Sequence, residues 1–213
     1  MKKTIFVILI LFIGSSLTYS QVLPKFGLKA GLNIANHTWD YKGLFLGGID
    51  WDYNYGLTIR AFSEFGFGDH FALQGELGYS RKGNKKDIPL TTSDYPDGNG
   101  QYISIENNID YISVVALAKL SLFKGPISPY IIGGPQMNFF VGNNGSDWFK
   151  DIYEDFNSGV LGISIGAGVE FNISPVNVFV EYRYERDLAD SYPQDILEIY
   201  NFSHAIMFGI VLF

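Results

Sequence analysis

The sequence predicts an all-β fold, an eight-stranded antiparallel up-and-down transmembrane β-barrel. Three observations predict it. Apolar and polar residues alternate with a period of two through eight segments, each bounded by Gly, Pro, Asn or Asp. The connections between these segments alternate between long and short. The composition is poor in charge (17%) and rich in aromatics (16%) and glycine (24 residues), and no apolar run is long enough for a membrane helix.

Residues 1–20 read as a cleaved signal peptide. Lys2 and Lys3 form a positive head, Thr4 to Ile13 an apolar stretch, and Thr18-Tyr19-Ser20 a cleavage site before Gln21. The apolar stretch is short for a span of about 20 residues. Residues 21–213 then form the barrel domain. Loss of the two lysines takes the formal charge from −7 to −9. That sign excludes a nucleic-acid binder, which needs a basic face. The absence of cysteine excludes disulfides, thiolate metal sites and Cys nucleophiles.

The first strand is Lys25 to Asn36, with Phe26, Leu28, Ala30, Leu32 and Ile34 on one face and Lys29 and Asn33 on the other. The second, Gly56 to Phe65, sets Leu57, Ile59, Ala61 and Phe65 against Thr58, Arg60 and Glu64. The third, His70 to Arg81, sets Phe71, Leu73, Leu77 and Tyr79 against Gln74, Glu76 and Ser80. In the fourth, Tyr111 to Leu122, the even-numbered positions from Ile112 are apolar, and Ser113, Lys119 and Ser121 lie opposite. The fifth, Tyr130 to Val141, is the least regular; Gln136 and Asn138 mark a wet face. The sixth, Val160 to Asn172, alternates Leu161, Ile163, Ile165, Ala167, Val169 and Phe171 with glycines, Ser164 and Glu170. The seventh, Val176 to Arg186, sets Val178, Val180, Tyr182 and Tyr184 against Glu181, Arg183 and Glu185. The eighth, Phe202 to Phe213, is apolar on both faces, so periodicity alone does not orient it; its aromatic end on the lipid-assigned face, preceded by Val211 and Met207 at alternate positions, reads as a barrel-closing strand.

The long gaps (37–55, 82–110, 142–159, 187–201) all fall at one end, and the short gaps (66–69, 123–129, 173–175) at the other. Outer-membrane barrels have this asymmetry, with short periplasmic turns and longer outside loops. A soluble barrel also alternates, but turns its apolar face inward. Two features favour lipid outside. The polar face holds small Gly, Ser and Asn rather than the many Lys and Glu of a solvated sheet. Aromatics on the apolar face collect at strand ends: Phe26, Phe65, Phe71, Phe171 and Phe213 at one, Tyr79, Phe139 and Tyr184 at the other. Two such rings around an aliphatic band suit the two headgroup levels.

Several segments carry a family resemblance: Phe26 to Asn36 (FGLKAGLNIAN), Leu73 to Gly83 (LQGELGYSRKG), Pro129 to Pro135 (PYIIGGP) and Gly166 to Phe171 (GAGVEF). They resemble PorT-family outer-membrane β-barrels of the Bacteroidota type. Tyr111 to Lys119 resembles the family's Tyr-Ile-Glu-Ile-Pro-Leu-Leu-Leu-Lys strand but carries Ser113 and Val115 where Glu and Pro are usual. The resemblance covers nearly the whole mature chain and implies an integral outer-membrane protein. Some relatives take part in protein secretion.

Nine ionic residues fall on the face assigned to the lumen: Lys29, Arg60, Glu64, Glu76, Lys119, Glu170, Glu181, Arg183 and Glu185. Pointing into lipid, each Arg or Lys would cost about 2–4 kcal/mol at the bilayer midplane. Pointing inward, the four cations and five carboxylates can pair. The expectation is a side-chain-filled lumen, with a substrate or proton path as the other reading.

Two long gaps are rich in aromatics and acids. Trp39, Trp51 and Tyr53 lie in the first, and Trp148, Phe149 and Tyr153 in the third. Such loops either pack on themselves or offer an interaction surface. No Asp-x-Asp-x-Asp-Gly run, zinc motif, nucleotide loop or nucleophile elbow occurs, so no metal, cofactor or catalytic residue is assigned. Of the three histidines, His204 and its neighbour Ser203 face opposite sides of a strand, and His37 sits at the outer rim of the first. The expected partners are outer-membrane lipid, the barrel-assembly machinery during insertion, and a protein bound through the loops or the periplasmic turns. The functional expectation is a structural or partner-binding envelope protein. An accessory role in secretion or envelope assembly and a small lipid-modifying enzyme are the alternatives.

Overall fold

Strands that alternate in polarity must each bury one face, and here they do so by closing on themselves. The computed structural model describes residues 24–41, 51–91, 100–145, 156–173, 176–192 and 197–212. Residues 1–20, read as the signal peptide, lie outside them. Eight strands pair antiparallel in chain order: β1 (Lys25–Tyr41), β2 (Asp52–Phe67), β3 (Phe71–Pro89), β4 (Tyr102–Ser121), β5 (Ile127–Gly145), β6 (Gly159–Ile173), β7 (Val176–Asp187) and β8 (Leu197–Val211). β1 pairs with β8 from Gly27↔Val211 to Tyr41↔Leu197, so the sheet is a closed barrel without edges.

The apolar face points outward. Leu28, Leu32, Leu57, Ile59, Leu73, Leu77, Ile131, Ile165, Ile206 and Phe208 are all exposed, whereas Lys29, Arg60, Glu76, Glu181, Arg183 and Glu185 are buried. An exposed Phe208 (68%) in a wall that buries Arg183 (0%) inverts the order of a water-soluble protein, and lipid is the solvent that makes it favourable. At the short-turn end Phe26, Phe65, Phe67, Phe71 and Phe123 are exposed. At the other end Phe139 and Tyr182 are exposed and Tyr79 and Tyr184 half-buried. Of the remaining predicted aromatics, Phe171 is half-buried and Phe213 is outside the described residues.

The strands outrun their predicted limits at the long-connection end. β3 and β4 continue as a hairpin as far as Pro89↔Tyr102, and β1 and β8 as far as Tyr41↔Leu197. Above the apolar band lipid no longer selects one face, so the alternation that marks a strand fades in the sequence. Backbone pairing persists there regardless, because each N–H and C=O still needs a partner.

β8 corrects a second expectation. Val211 and Met207 face the interior, at 7% and 0% exposure, and Ile206, Phe208 and Ile210 face outward. The apolar character of both faces hid the direction. The register on β1 and β7 decides it, since a one-residue slip would turn every side chain round.

Large lumenal rings are matched by glycine on the neighbouring strand. A Cβ on Gly209 would overlap the Phe179 ring, and one on Gly27 the Phe62 ring. Phe62 and Phe179 meet edge to face at 5.6 Å, filling the lumen near the short-turn end.

Candidate functional site

All nine sequence-predicted ionic residues lie inside the barrel and form two clusters. Nearer the short turns, Lys119 on β4 donates to Glu64 on β2 (2.7 Å) and to Glu170 on β6 (3.0 Å). Its Nζ also lies 4.4 Å from the centroid of the Tyr130 ring, a cation–π contact. Lys25, half exposed at the mouth, stands 3.7 Å from Glu64.

The second cluster crosses the middle of the lumen. Lys29 on β1 donates to Glu76 on β3 and Glu181 on β7, each at 2.7 Å. Arg183 on β7 donates to both of these carboxylates as well, and to Ser164 Oγ at 3.0 Å. Arg60 on β2 joins Glu76 (3.3 Å) to Glu185 (2.5 Å). Tyr130 and Gln74 donate to Glu181 and Glu76. Each guanidinium or ammonium reaches carboxylates from other strands, so the cluster ties together strands that share no ladder.

Two members escaped the sequence reading. Lys82 stands 3.3 Å from Glu185, with both side chains fully buried. Asp187 accepts from Asn138 (2.9 Å) and Asn201 (2.6 Å). Both were assigned to loop gaps; the longer strands place them inside. The signal for Lys82 was its even spacing from Glu76 and Ser80 along one face.

Above the ions an apolar cluster packs beside the buried amides Asn84, Asn107 and Asn201. Trp39, Trp51, Ile109, Tyr111, Phe156, Tyr192, Leu197 and Ile199 form one buried cluster. This corrects the reading of Trp39 and Trp51 as loop surface. Trp39 is part of β1 and 2% exposed, Trp51 immediately precedes β2 at 5%, and their rings pack at 5.2 Å. A tryptophan two residues inside a strand end follows the strand's alternation, and here the inner face is the drier one. Tyr53 is exposed, on the outer wall, 5.9 Å from the Phe202 ring. Trp148, Phe149 and Tyr153 lie outside the described residues.

His37 also moves from rim to interior. It is 3% exposed, beside Asn84, in the part of β1 beyond the lipid-facing band. Burial, with Lys82 nearby, pushes its imidazole down to about 3. Outside the wall at that level, Arg81 grips Asp110 with two hydrogen bonds (2.8 and 3.2 Å), and Tyr79 donates to the same carboxylate at 2.6 Å. Among the described residues no group of three or more His, Asp and Glu is placed to hold a metal ion.

The interior therefore comprises an ion-paired layer under one in which aromatic and aliphatic side chains pack among buried amides, in a barrel whose number of strands leaves room only for side chains. No curated protein matches the chain. Among solved structures it is similar to Neisserial surface protein A (14% identity, 88% of this chain and 97% of that one, TM-score 0.47). It is also similar to OprG from Pseudomonas aeruginosa (11%, 88% and 95%, TM-score 0.49) and to Ail of Yersinia pestis in complex with the heparin analogue sucrose octasulfate (14%, 87% and 98%, TM-score 0.38). A family model described as the outer membrane protein beta-barrel domain matches residues 20–192, and with it the chain belongs to that family of outer-membrane barrels.

Proposed function

We propose that this outer-membrane barrel is a closed, non-catalytic scaffold that holds its long-connection end outside the cell for a protein partner. The observation that carries the reading is the filled lumen. Lys29, Arg60, Glu76, Arg183, Glu181 and Glu185 bridge the middle, and the cluster around Trp39, Trp51 and Tyr111 closes the space above. A barrel that conducts nothing acts through its surfaces, and the strands that project beyond the apolar band supply one. Within the family, kinship with PorT-type barrels is supported by the segments around Leu28, Leu77, Ile132 and Val169, and carries an accessory role in secretion as the second reading.

The test is planar-bilayer recording of the full barrel, with cross-linking on intact cells. The expected result is no step conductance and a cross-linked protein partner at the outer surface. Resolved single-channel steps would overturn the closed lumen. Cross-links confined to the periplasmic turns would favour the secretion reading.

A further inference from the structure

The lipid-facing wall is uneven. Along one line of cross-strand partners, Phe71, Leu120, Ile131, Ala167 and Tyr182 follow one another from β3 to β7. At about 4.8 Å per strand, that line is about 19 Å long. Beside it the outward residues shrink to Ala118 and Gly133, and with Ala167 they form the floor of a groove of about 760 Å³. The groove is apolar, with Phe71 at one end and Tyr182 and Tyr184 at the other.

The tyrosine end is polar and cationic. Tyr182 Oη and His204 Nδ1 are 2.7 Å apart, and the Tyr184 ring packs 5.2 Å from the imidazole. With Nδ1 engaged, the second ring nitrogen of His204 is left for another partner. Arg186 follows Tyr184 on the same outward face, is exposed, and makes no ion pair among the described residues. An arginine at the end of an apolar wall stands where lipid headgroups lie.

We propose that this groove is a binding site for one anionic phospholipid, with an acyl chain along the trough from Tyr182 towards Phe71 and the phosphate held by Arg186 and His204. Two features select this occupant. The groove is continuous with the lipid-exposed wall, so its occupant comes from the bilayer. The cationic end calls for an anionic head, and a guanidinium meets phosphate with paired hydrogen bonds.

The test is native mass spectrometry of the full barrel released from detergent after equilibration with palmitoyl-oleoyl phosphatidylglycerol. One retained lipid is expected, with phosphatidylcholine retained far less. Arg186→Gln should lower retention about tenfold, as loss of one charge-assisted contact does. Ala167→Phe, which fills the trough, should lower it comparably. Ala61→Phe, an equal change on the outer face of β2, should leave it unchanged. A heat-dependent gel shift confirms that each variant is folded. Equal retention in Arg186→Gln and Ala167→Phe, equal loss in Ala61→Phe, or equal retention of phosphatidylcholine would each overturn the site. Displacement by inorganic phosphate alone would overturn the acyl-chain half of it.

Discussion

A buried carboxylate is tolerable only while its partners remain. Glu76 accepts from Lys29, Gln74, Arg60 and Arg183, all inside a wall that admits little water. Glu76→Leu leaves three cations short of a counter-charge, which for a buried pair costs about 3–5 kcal/mol. Arg183→Leu leaves Glu76 and Glu181 short of one of the cations they share, with Lys29 still between them. Both variants should unfold at lower urea in lipid vesicles while still fractionating with the outer membrane. An unchanged urea midpoint in both would remove the network as a source of stability. His37 gives a pH signature. Its imidazole is neutral in the fold down to about pH 3, whereas an unfolded imidazole takes up its proton near 6.5. The unfolded chain therefore binds the extra proton first, and stability falls as pH drops below about 6.5, by at most about 1.4 kcal/mol per pH unit for this group. His37→Gln should flatten the dependence between pH 6.5 and 5, where most carboxylates are still ionised; urea midpoints at those two pH values measure it. These residues differ in how legible they were. The nine ions could be placed from alternation alone, because inside a predicted strand parity fixes the face. Asp187 and His37 could not, and Lys82 only by carrying the parity of Glu76 and Ser80 past the predicted strand end, because the strands that hold them continue into sequence where alternation has faded.

Pairing, at the scale of the strand, carries information that a single strand lacks. β6 and β7 could be oriented from their own residues, since one face holds Glu181, Arg183 and Glu185 and the other Val178, Val180 and Tyr182. β8 could not, because Val211, Met207, Ile206 and Phe208 are equally apolar; only its partners on β1 and β7 set the direction. The matching of rings to glycines is likewise a property of pairs of strands. Gly209 on β8 lies opposite Phe179 on β7, where a side chain would collide with the ring. Gly209→Val should destabilise the barrel by about 1–3 kcal/mol through overpacking. Gly75→Val, where nothing lies within 4 Å of an added Cβ, should change little. The difference in urea midpoint between the two variants measures the contact.

Taken whole, the molecule solves burial twice. Around its middle the ions are inside and Leu32, Ile59 and Phe208 outside. Towards the long connections, Trp39, Ile109 and Ile199 are inside, while Asp40, Asp52 and Glu106 are exposed. The first arrangement was readable because outward-facing hydrocarbon is abundant along every strand. The second was not, because its core gathers residues from β1, β4, β8 and three connections, and no local pattern joins them. The exchange of faces has a mechanical result. Sinking would drag Asp40, Asp52 and Glu106 into oil; rising would lift Leu32 and Ile59 into water. The protein rides in its bilayer like a hull with a painted waterline, its draught set by the wall alone, and the projecting ends of β1, β3, β4 and β8 stand at a constant height above the membrane.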